Sequence, residues 1–208
     1  MADNKRVKRG IKQLQRVKTW QLVLLLILSL LLTATFLRLN NIGMIERRTA
    51  VLSADKQGND EIIRARLFDL QRYAAEHMNA DSGVVYLEHQ YQRDTENAIR
   101  AASQQGGSAN INVEADRICQ ARHGGYSQAY VQCFASELAK VPAGSNAPDK
   151  AQLPSASLYR HEFSSPLWSP DFAGFATGVS ALITLVIVLR LIGLVALRAM
   201  LHRHYRSI

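Results

Sequence analysis

The chain has 208 residues, a formal net charge of +8 and two cysteines. Residues 1–20 carry seven Lys and Arg against one acid, whereas residues 39–171 carry thirteen basic and sixteen acidic side chains, a net of −3. A nucleic-acid-binding domain carries its positive charge on a folded face, so the charge at the chain ends argues against nucleic acid as a partner.

The first predicted element is a transmembrane helix at 20–38, after a basic tail at 1–19. Residues 20–37 read WQLVLLLILSLLLTATFL, without a charge. About twenty apolar residues span the hydrocarbon core, and Trp20 suits the membrane interface. A cleaved signal peptide is the alternative, although bulky Leu32 stands where such a cleavage site needs a small residue.

The region 39–140 is predicted to be a small helical domain whose first helix continues from the span through 38–48. Apolar residues recur every three or four positions within 63–78, and Asn59-Asp60-Glu61 suits the start of that helix. Turn residues follow at 79–83. Residues 84–87 are either a short strand or the start of a further helix, which ends near 104–110.

Two more helices are expected around the cysteines, at about 113–122 and 127–140. Gly124-Gly125 separates them, and Ser127 can cap the second. The buried stripe of the second helix is expected to comprise Tyr126, Tyr130, Phe134 and Leu138. Cys119 and Cys133 then lie one on each helix. A disulfide, a zinc site that includes His123 and a redox pair are the three interpretations.

All five prolines lie between residues 142 and 170, so 141–171 is predicted to be a linker and juxtamembrane collar without a long helix. Trp168 within this collar suits a membrane interface. The segment is either a rigid collar or a docking surface for a partner.

A second transmembrane helix is predicted at 172–197, although Arg190 interrupts its apolar sequence. The long Arg side chain can reach the interface, or it is a functional charge inside the membrane. Gly174 and Gly178 form a G-x-x-x-G pattern, with Ala181 beside them, and small residues at this spacing allow close helix packing. The sequence leaves open whether the partner is the first span, another copy or another protein.

A basic tail at 198–208, which begins with Arg198, completes the predicted topology. Lys and Arg near membrane ends stay on the cytoplasmic side, so both termini are predicted to be cytoplasmic and 39–171 extracytoplasmic. Thiols outside the cytoplasm usually meet an oxidising environment, which favours the Cys119–Cys133 disulfide. In this topology Trp20, Trp168, Arg190 and Arg198 are predicted interface anchors.

The sequence indicates no catalytic, cofactor or metal site. It contains no G-x-S-x-G, H-E-x-x-H, Walker or C-x-x-C motif. The dipeptides Glu76-His77 and Glu88-His89 are twelve residues apart and lack the spacing of a helical metal site, so we interpret them as exposed polar positions.

The arrangement of these elements resembles the polysaccharide co-polymerases, which regulate the chain length of envelope polymers. The resemblance consists of a span near each end, an outer region of this size and a proline-containing stretch before the second span. The sequence departs from that family at Asp171, where a basic residue is usual, and in its mainly helical outer region. We therefore do not assign the family.

The expected fold is mainly α, with two transmembrane helices and a small helical extracytoplasmic domain. The leading hypothesis is a non-catalytic subunit or scaffold of a bacterial cell-envelope assembly, with the bilayer and either further copies or other membrane proteins as partners. The alternatives are an extracytoplasmic ligand-binding or sensory module, a chain-length-regulator-like protein, and an envelope enzyme whose site is assembled from distant residues.

Overall fold

The computed structural model describes residues 18–104, 110–140 and 151–206, with side chains up to residue 200. Six α-helices dominate this part of the chain: α1 Thr19–Gln57, α2 Asp60–Glu76, α3 Glu88–Gln104, α4 Ile111–His123, α5 Gln128–Ala139 and α6 Phe172–Arg206. A short 3-10 turn at Ala156–Tyr159 and two strands, β1 Gly83–Tyr86 and β2 Arg160–Phe163, complete it. The predicted helical fold is thus confirmed at this level.

Two helices, α1 and α6, are long and apolar enough to cross a membrane. In their most apolar windows, 6% of α1 and 17% of α6 is buried within the protein. Core helices of water-soluble proteins bury far more of such a surface, so the low burial agrees with the two predicted spans. The structure also confirms that α1 runs without a break through residues 38–48.

The chain divides into two compact units. We call Met1–Gly43, Ala74–Asp81 and Ser165–Ile208 the hairpin unit, and Met44–Tyr73 with Ser82–Ser164 the disulfide unit. Helix α1 therefore contributes residues to both units.

In the hairpin unit, α1 and α6 run antiparallel. Phe36 of α1 stacks on Phe172 at the start of α6, with ring centroids 5.6 Å apart. Eight residues further along α6, the Ser180 hydroxyl lies 3.1 Å from the hydroxyls of Ser29 and Thr33, which precede Phe36 in α1. The residue numbers rise along α6 as they fall along α1, and this defines the hairpin.

In the disulfide unit, the main apolar cluster joins α3, α4 and α5. Its buried members are Ile99, Ala115, Cys119, Tyr130, Phe134 and Leu138. Three residues of the stripe predicted for α5 are therefore buried, while Tyr126 is only partly buried and packs on the edge of the cluster. Burial of these side chains is the main stabilising contribution that a small domain of this kind has available.

The helix ends in the disulfide unit are capped as their sequences predict. Asn59 accepts hydrogen bonds from the backbone amides of Glu61 and Ile62, both at 3.1 Å. Ser127 caps α5. Gly124 ends α4 with φ of 61°, a left-handed conformation that glycine adopts without a steric penalty.

The two strands form an antiparallel pair in which Gly83 faces Phe163 and Tyr86 faces Arg160. Residues 84–87 therefore begin as a strand, which was one of the two predictions. Strand β2 was missed, because four residues of mixed polarity after a proline-containing segment carry no clear alternation. Of the predicted linker and tails, residues 141–150, 1–17 and 207–208 lie outside the described part.

Candidate functional site

The surface of α6 has two faces with different surroundings. One stripe of α6 is formed by the buried residues Ala173, Ser180, Ile183 and Arg190 together with the partly buried Ala176 and Ile187, and these positions recur every three to four residues. Because Ser180 bonds to α1, this stripe is the face that packs on the first span. The spacing averages about 3.5 residues, which is typical of helices that pack at a small crossing angle.

The contact between the spans contains hydroxyl groups. Ser180 donates to Ser29, and it also lies within hydrogen-bond distance of Thr33. Thr33 also donates to the Ser29 carbonyl in its own helix, and the single hydroxyl proton of Ser180 has the Ala176 carbonyl, at 2.9 Å, as a second acceptor besides Ser29. Such bonds satisfy the hydroxyls where no water is present. The sequence analysis missed this cluster, although Ser29 and Thr33 at i, i+4 spacing in an apolar helix were a usable signal.

The predicted small-residue pattern lies away from α1. Gly178 is exposed, and a Cβ atom added there would meet nothing within 4 Å. Ala181 is exposed as well. On a helical wheel at 100° per residue, both positions lie roughly opposite the buried stripe. The first span of the same chain, one of the three partners that the sequence left open, therefore does not pack against Gly178 and Ala181.

Gly174 has a different environment from Gly178. A Cβ atom at residue 174 would lie 1.8 Å from the Ser169 carbonyl oxygen and 3.1 Å from Nε1 of Trp168. The glycine therefore allows the collar to fold back against the first turn of α6, where Trp168 donates a hydrogen bond to the Gly174 carbonyl. Of the two glycines of this motif, Gly174 is thus packed against the collar, whereas Gly178 faces open space.

Asp171 organises a polar cluster at the start of α6. Its carboxylate accepts hydrogen bonds of 2.8 Å from the Asn40 amide, the Ser169 hydroxyl and the Gly174 backbone N–H. Partial burial acts to raise the pKa of Asp171, but these three bonds outweigh it and hold the pKa below its usual value. The carboxylate is therefore ionised at neutral pH.

The same cluster ties three chain segments of the hairpin unit together. Asn40 also donates to the Met78 carbonyl at 3.1 Å, and the Met78 amide donates to Ser169 at 3.0 Å. Asn79 donates to the Leu37 carbonyl of α1. The sequence analysis noted Asp171 but did not foresee this cluster, since Asn40 lies 131 residues before Asp171 and Met78 lies 91 residues before Ser169.

The predicted interface anchors fall into two groups. Trp20 and Trp168 are 60% and 55% exposed, and Arg198 is exposed too. Arg190, in contrast, is only 8% exposed, and its Nε is buried without a hydrogen-bond partner among the described residues. The residue therefore belongs to the packed stripe of α6 and not to its free surface.

In the disulfide unit, Cys119 and Cys133 form the predicted disulfide between α4 and α5. Cys119 is fully buried in the apolar cluster, and Cys133 is partly buried at its edge. Both cysteines are thus engaged in a covalent link, so neither is a free thiol ligand or nucleophile.

Three polar side chains of the disulfide unit, Asp55, Tyr130 and Tyr159, make hydrogen bonds that stabilise the fold. Asp55 is buried and accepts backbone hydrogen bonds from His89 and Gln90 at 3.0 and 2.7 Å, so it caps α3 from a distance of more than thirty residues. Tyr130 and Tyr159 donate to Asp116 and to Asp94.

Burial and those carboxylates raise the pKa of both tyrosines, which keeps them protonated as donors. The sequence analysis had not identified these bonds. In the part of the chain that the structure describes, no group of three or more His, Cys, Asp or Glu side chains is placed to hold a metal ion.

Comparison with models of protein families, with characterised proteins and with solved structures finds no match to this chain.

Proposed function

We propose that this chain is a non-catalytic two-pass membrane protein that serves as a subunit or scaffold of a bacterial cell-envelope assembly. The observation that carries the proposal is the free face of α6, where Gly178 and Ala181 are exposed on the side opposite the first span. Small residues on such a face allow another helix to approach the backbone closely. A helix of another copy or of a partner protein would complete the packing.

Membrane insertion is supported by the surface of the two long helices. Nearly all of the apolar window of α1 is exposed, and most of that of α6. Exposed apolar patches of that extent are unusual in water-soluble monomers. In a bilayer, lipid acyl chains surround these apolar side chains, so their exposure carries no free-energy cost.

The proposed topology places the disulfide unit outside the cytoplasm. The basic residues at 1–20 and beyond 189 favour cytoplasmic termini, and a disulfide in a small domain fits an oxidising compartment. In this topology the folded disulfide unit is the part of the described chain that meets envelope components.

A test of the assembly role starts from the native mass of the protein after gentle extraction from its own membrane, with the co-purifying chains identified. We expect a defined complex larger than one chain. Because a Cβ atom at residue 178 meets open space, Gly178→Leu should fill the free face and reduce that mass. Val186→Phe, which also adds apolar volume to an exposed flank of α6, is the control and should leave it unchanged.

A monomeric wild type would contradict the assembly role and would favour the ligand-binding alternative. If both variants kept the mass of a wild-type complex, the free face of α6 would not be the contact, and the observation that carries the proposal would fail. Gly174→Leu is not suitable for this test, because its side chain would collide with the Ser169 carbonyl and disturb the collar.

A further inference from the structure

Arg190 is the residue whose surroundings the proposed function does not explain. The side chain lies on the packed stripe of α6, 8% exposed, with its Nε buried and without a hydrogen-bond partner among the described residues. No described Asp or Glu forms an ion pair with it. A buried guanidinium is costly unless an anion meets it, so the residue requires a partner from outside the described chain.

The level of Arg190 along the hairpin indicates where this partner lies. Ser180 sits between Ser29 and Thr33 of α1. Arg190 follows Ser180 by ten residues, a rise of about 15 Å along α6. Because α1 runs in the opposite direction, Arg190 lies at the level of Gln21. Its neighbour Trp20 is exposed, as aromatic side chains at membrane interfaces are. Arg190 is therefore at the boundary of the apolar layer and not at its centre.

The same depth follows from the opposite end of α6. The helix rises about 27 Å between Phe172 and Arg190, whereas the hydrocarbon core is about 30 Å thick. With Phe172 near one boundary, the guanidinium lies near the other, within reach of the lipid phosphates.

The charges at this end of the hairpin unit favour an anion. Lys18 and Arg198 lie on the same side of the span as Arg190. The acidic residues in the described part of the hairpin unit, Glu76, Asp81 and Asp171, all lie toward the opposite end, where Asp171 bonds Asn40. Cations near one membrane boundary, with the described acids near the other, are the pattern that attracts anionic headgroups.

The apolar neighbours of Arg190 favour a lipid over a free anion. Val186 and Leu189, within one turn before it on α6, are exposed. A phospholipid places its acyl chains along such side chains while its phosphate meets the guanidinium, which can bind two phosphate oxygens at once. Inorganic phosphate would use only the second contact.

We infer that Arg190 binds the phosphate of an anionic phospholipid at the end of the hairpin unit that contains Trp20. The inference rests on the membrane insertion within the proposed function, but not on the assembly role. The sequence analysis predicted Arg190 only as an interface anchor, whereas this inference assigns to it a specific lipid-binding site between the two spans.

The test uses the full chain reconstituted into nanodiscs of phosphatidylcholine with increasing fractions of phosphatidylglycerol. Native mass spectrometry counts the lipids that each protein retains after release from the disc. Wild type should retain phosphatidylglycerol in preference to phosphatidylcholine, and Arg190→Gln should reduce that preference about tenfold, as expected for the loss of a charge-assisted contact. Arg190→Lys should recover part of it.

Arg198→Gln is the matched control, since it removes one charge from the same end at an exposed position. We expect less than about a threefold change for it.

The melting temperature of the wild type should also rise with the phosphatidylglycerol fraction at constant ionic strength, a readout that does not depend on whether any variant folds.

Equal retention of the two lipids by the wild type would overturn the inference, as would unchanged retention by Arg190→Gln. If millimolar inorganic phosphate raised the melting temperature as much as phosphatidylglycerol does, the ligand of Arg190 would be a free anion and the lipid site would be ruled out. A change of native mass in Arg190→Gln without a change in lipid retention would point to a protein carboxylate instead. Failure of the wild type to enter nanodiscs would contradict membrane insertion itself.

Discussion

The disulfide unit and the hairpin unit are stabilised by different kinds of interaction. In the disulfide unit, Tyr130 and Phe134 are fully buried in an apolar cluster, and a disulfide links α4 to α5. In the hairpin unit, the contacts between segments are made largely by hydroxyl, amide and carboxylate groups, including Ser180 and Asp171. The difference agrees with the proposal that water surrounds the disulfide unit and lipid surrounds most of the hairpin unit. Water drives apolar side chains together, whereas lipid supplies no such force and makes unpaired polar groups costly.

The two tryptophans of the chain, Trp20 and Trp168, both lie in the hairpin unit. Tryptophan fluorescence therefore reports on that unit. Near-ultraviolet circular dichroism at tyrosine wavelengths reports mainly on the disulfide unit, which contains its buried Tyr91, Tyr130 and Tyr159. The two signals allow each unit to be perturbed and monitored separately.

The largest effect is expected from Phe134→Ala in the disulfide unit. Loss of a fully buried phenyl ring should lower the free energy of unfolding by about 3–5 kcal/mol. Urea denaturation followed by the tyrosine signal measures it. Phe68→Ala is the control, because Phe68 is 65% exposed and its removal should change stability by less than about 0.5 kcal/mol. Equal losses in the two variants would contradict the assignment of the core.

Removal of the disulfide should have the next largest effect. Replacing both Cys119 and Cys133 by Ala releases a loop of about fifteen residues, which in the chain-entropy model costs about 3 kcal/mol. Reductant should destabilise the wild type by a similar amount and leave the double variant unaffected. The tryptophan signal should not change in either case, and a concurrent change there would argue that the two units do not unfold separately.

Gly174→Ala should perturb the hairpin unit more than Gly178→Ala. The added methyl group at 174 meets the Ser169 carbonyl, so the collar must shift, at a cost of about 1–3 kcal/mol that is typical of overpacking. At 178 the methyl group meets open space. Thermal melting in detergent and the emission maximum of Trp168 provide the readout. Equal behaviour of the two variants would contradict the distinct roles of the two glycines.

The smallest effect is expected from Ser180→Ala between the spans. Interhelical hydrogen bonds in membrane proteins contribute about 0.6 kcal/mol on average, so unfolding in mixed micelles, followed by tryptophan fluorescence, should shift slightly. Thr35→Ala removes an exposed hydroxyl that bonds Leu31 of its own helix and should have no measurable effect. A loss above about 2 kcal/mol for Ser180→Ala would show that this cluster dominates the hairpin.

Local features of the disulfide unit were predicted well because neighbouring residues determine them. The caps at Asn59 and Ser127 and the break at Gly124 depend on side chains within three positions of the helix end. The Cys119–Cys133 disulfide was predicted because the topology placed both cysteines in an oxidising compartment, and the structure contains it. Strand β2 was missed because its pairing with β1 depends on a partner about eighty residues earlier in the chain.

The candidate site was predicted less well, since it depends on which faces of the helices meet. Gly174, Gly178 and Ala181 were grouped by their spacing alone. Spacing determines which residues share a face of α6, but not what lies against that face. The structure places the Ser169 carbonyl against Gly174 and leaves Gly178 and Ala181 free.

The sequence by itself determined the helical class of the fold and the two apolar helices, because composition and short-range periodicity govern these features, and it favoured the disulfide over the other interpretations of Cys119 and Cys133. Only the tertiary structure decided that Ser180 meets Ser29 and Thr33, that Asp171 gathers three donors, and that Arg190 lies inside the packed stripe of α6. The rotation of each helix about its axis sets these contacts, and that rotation is chosen by the packing of surfaces far apart in the chain.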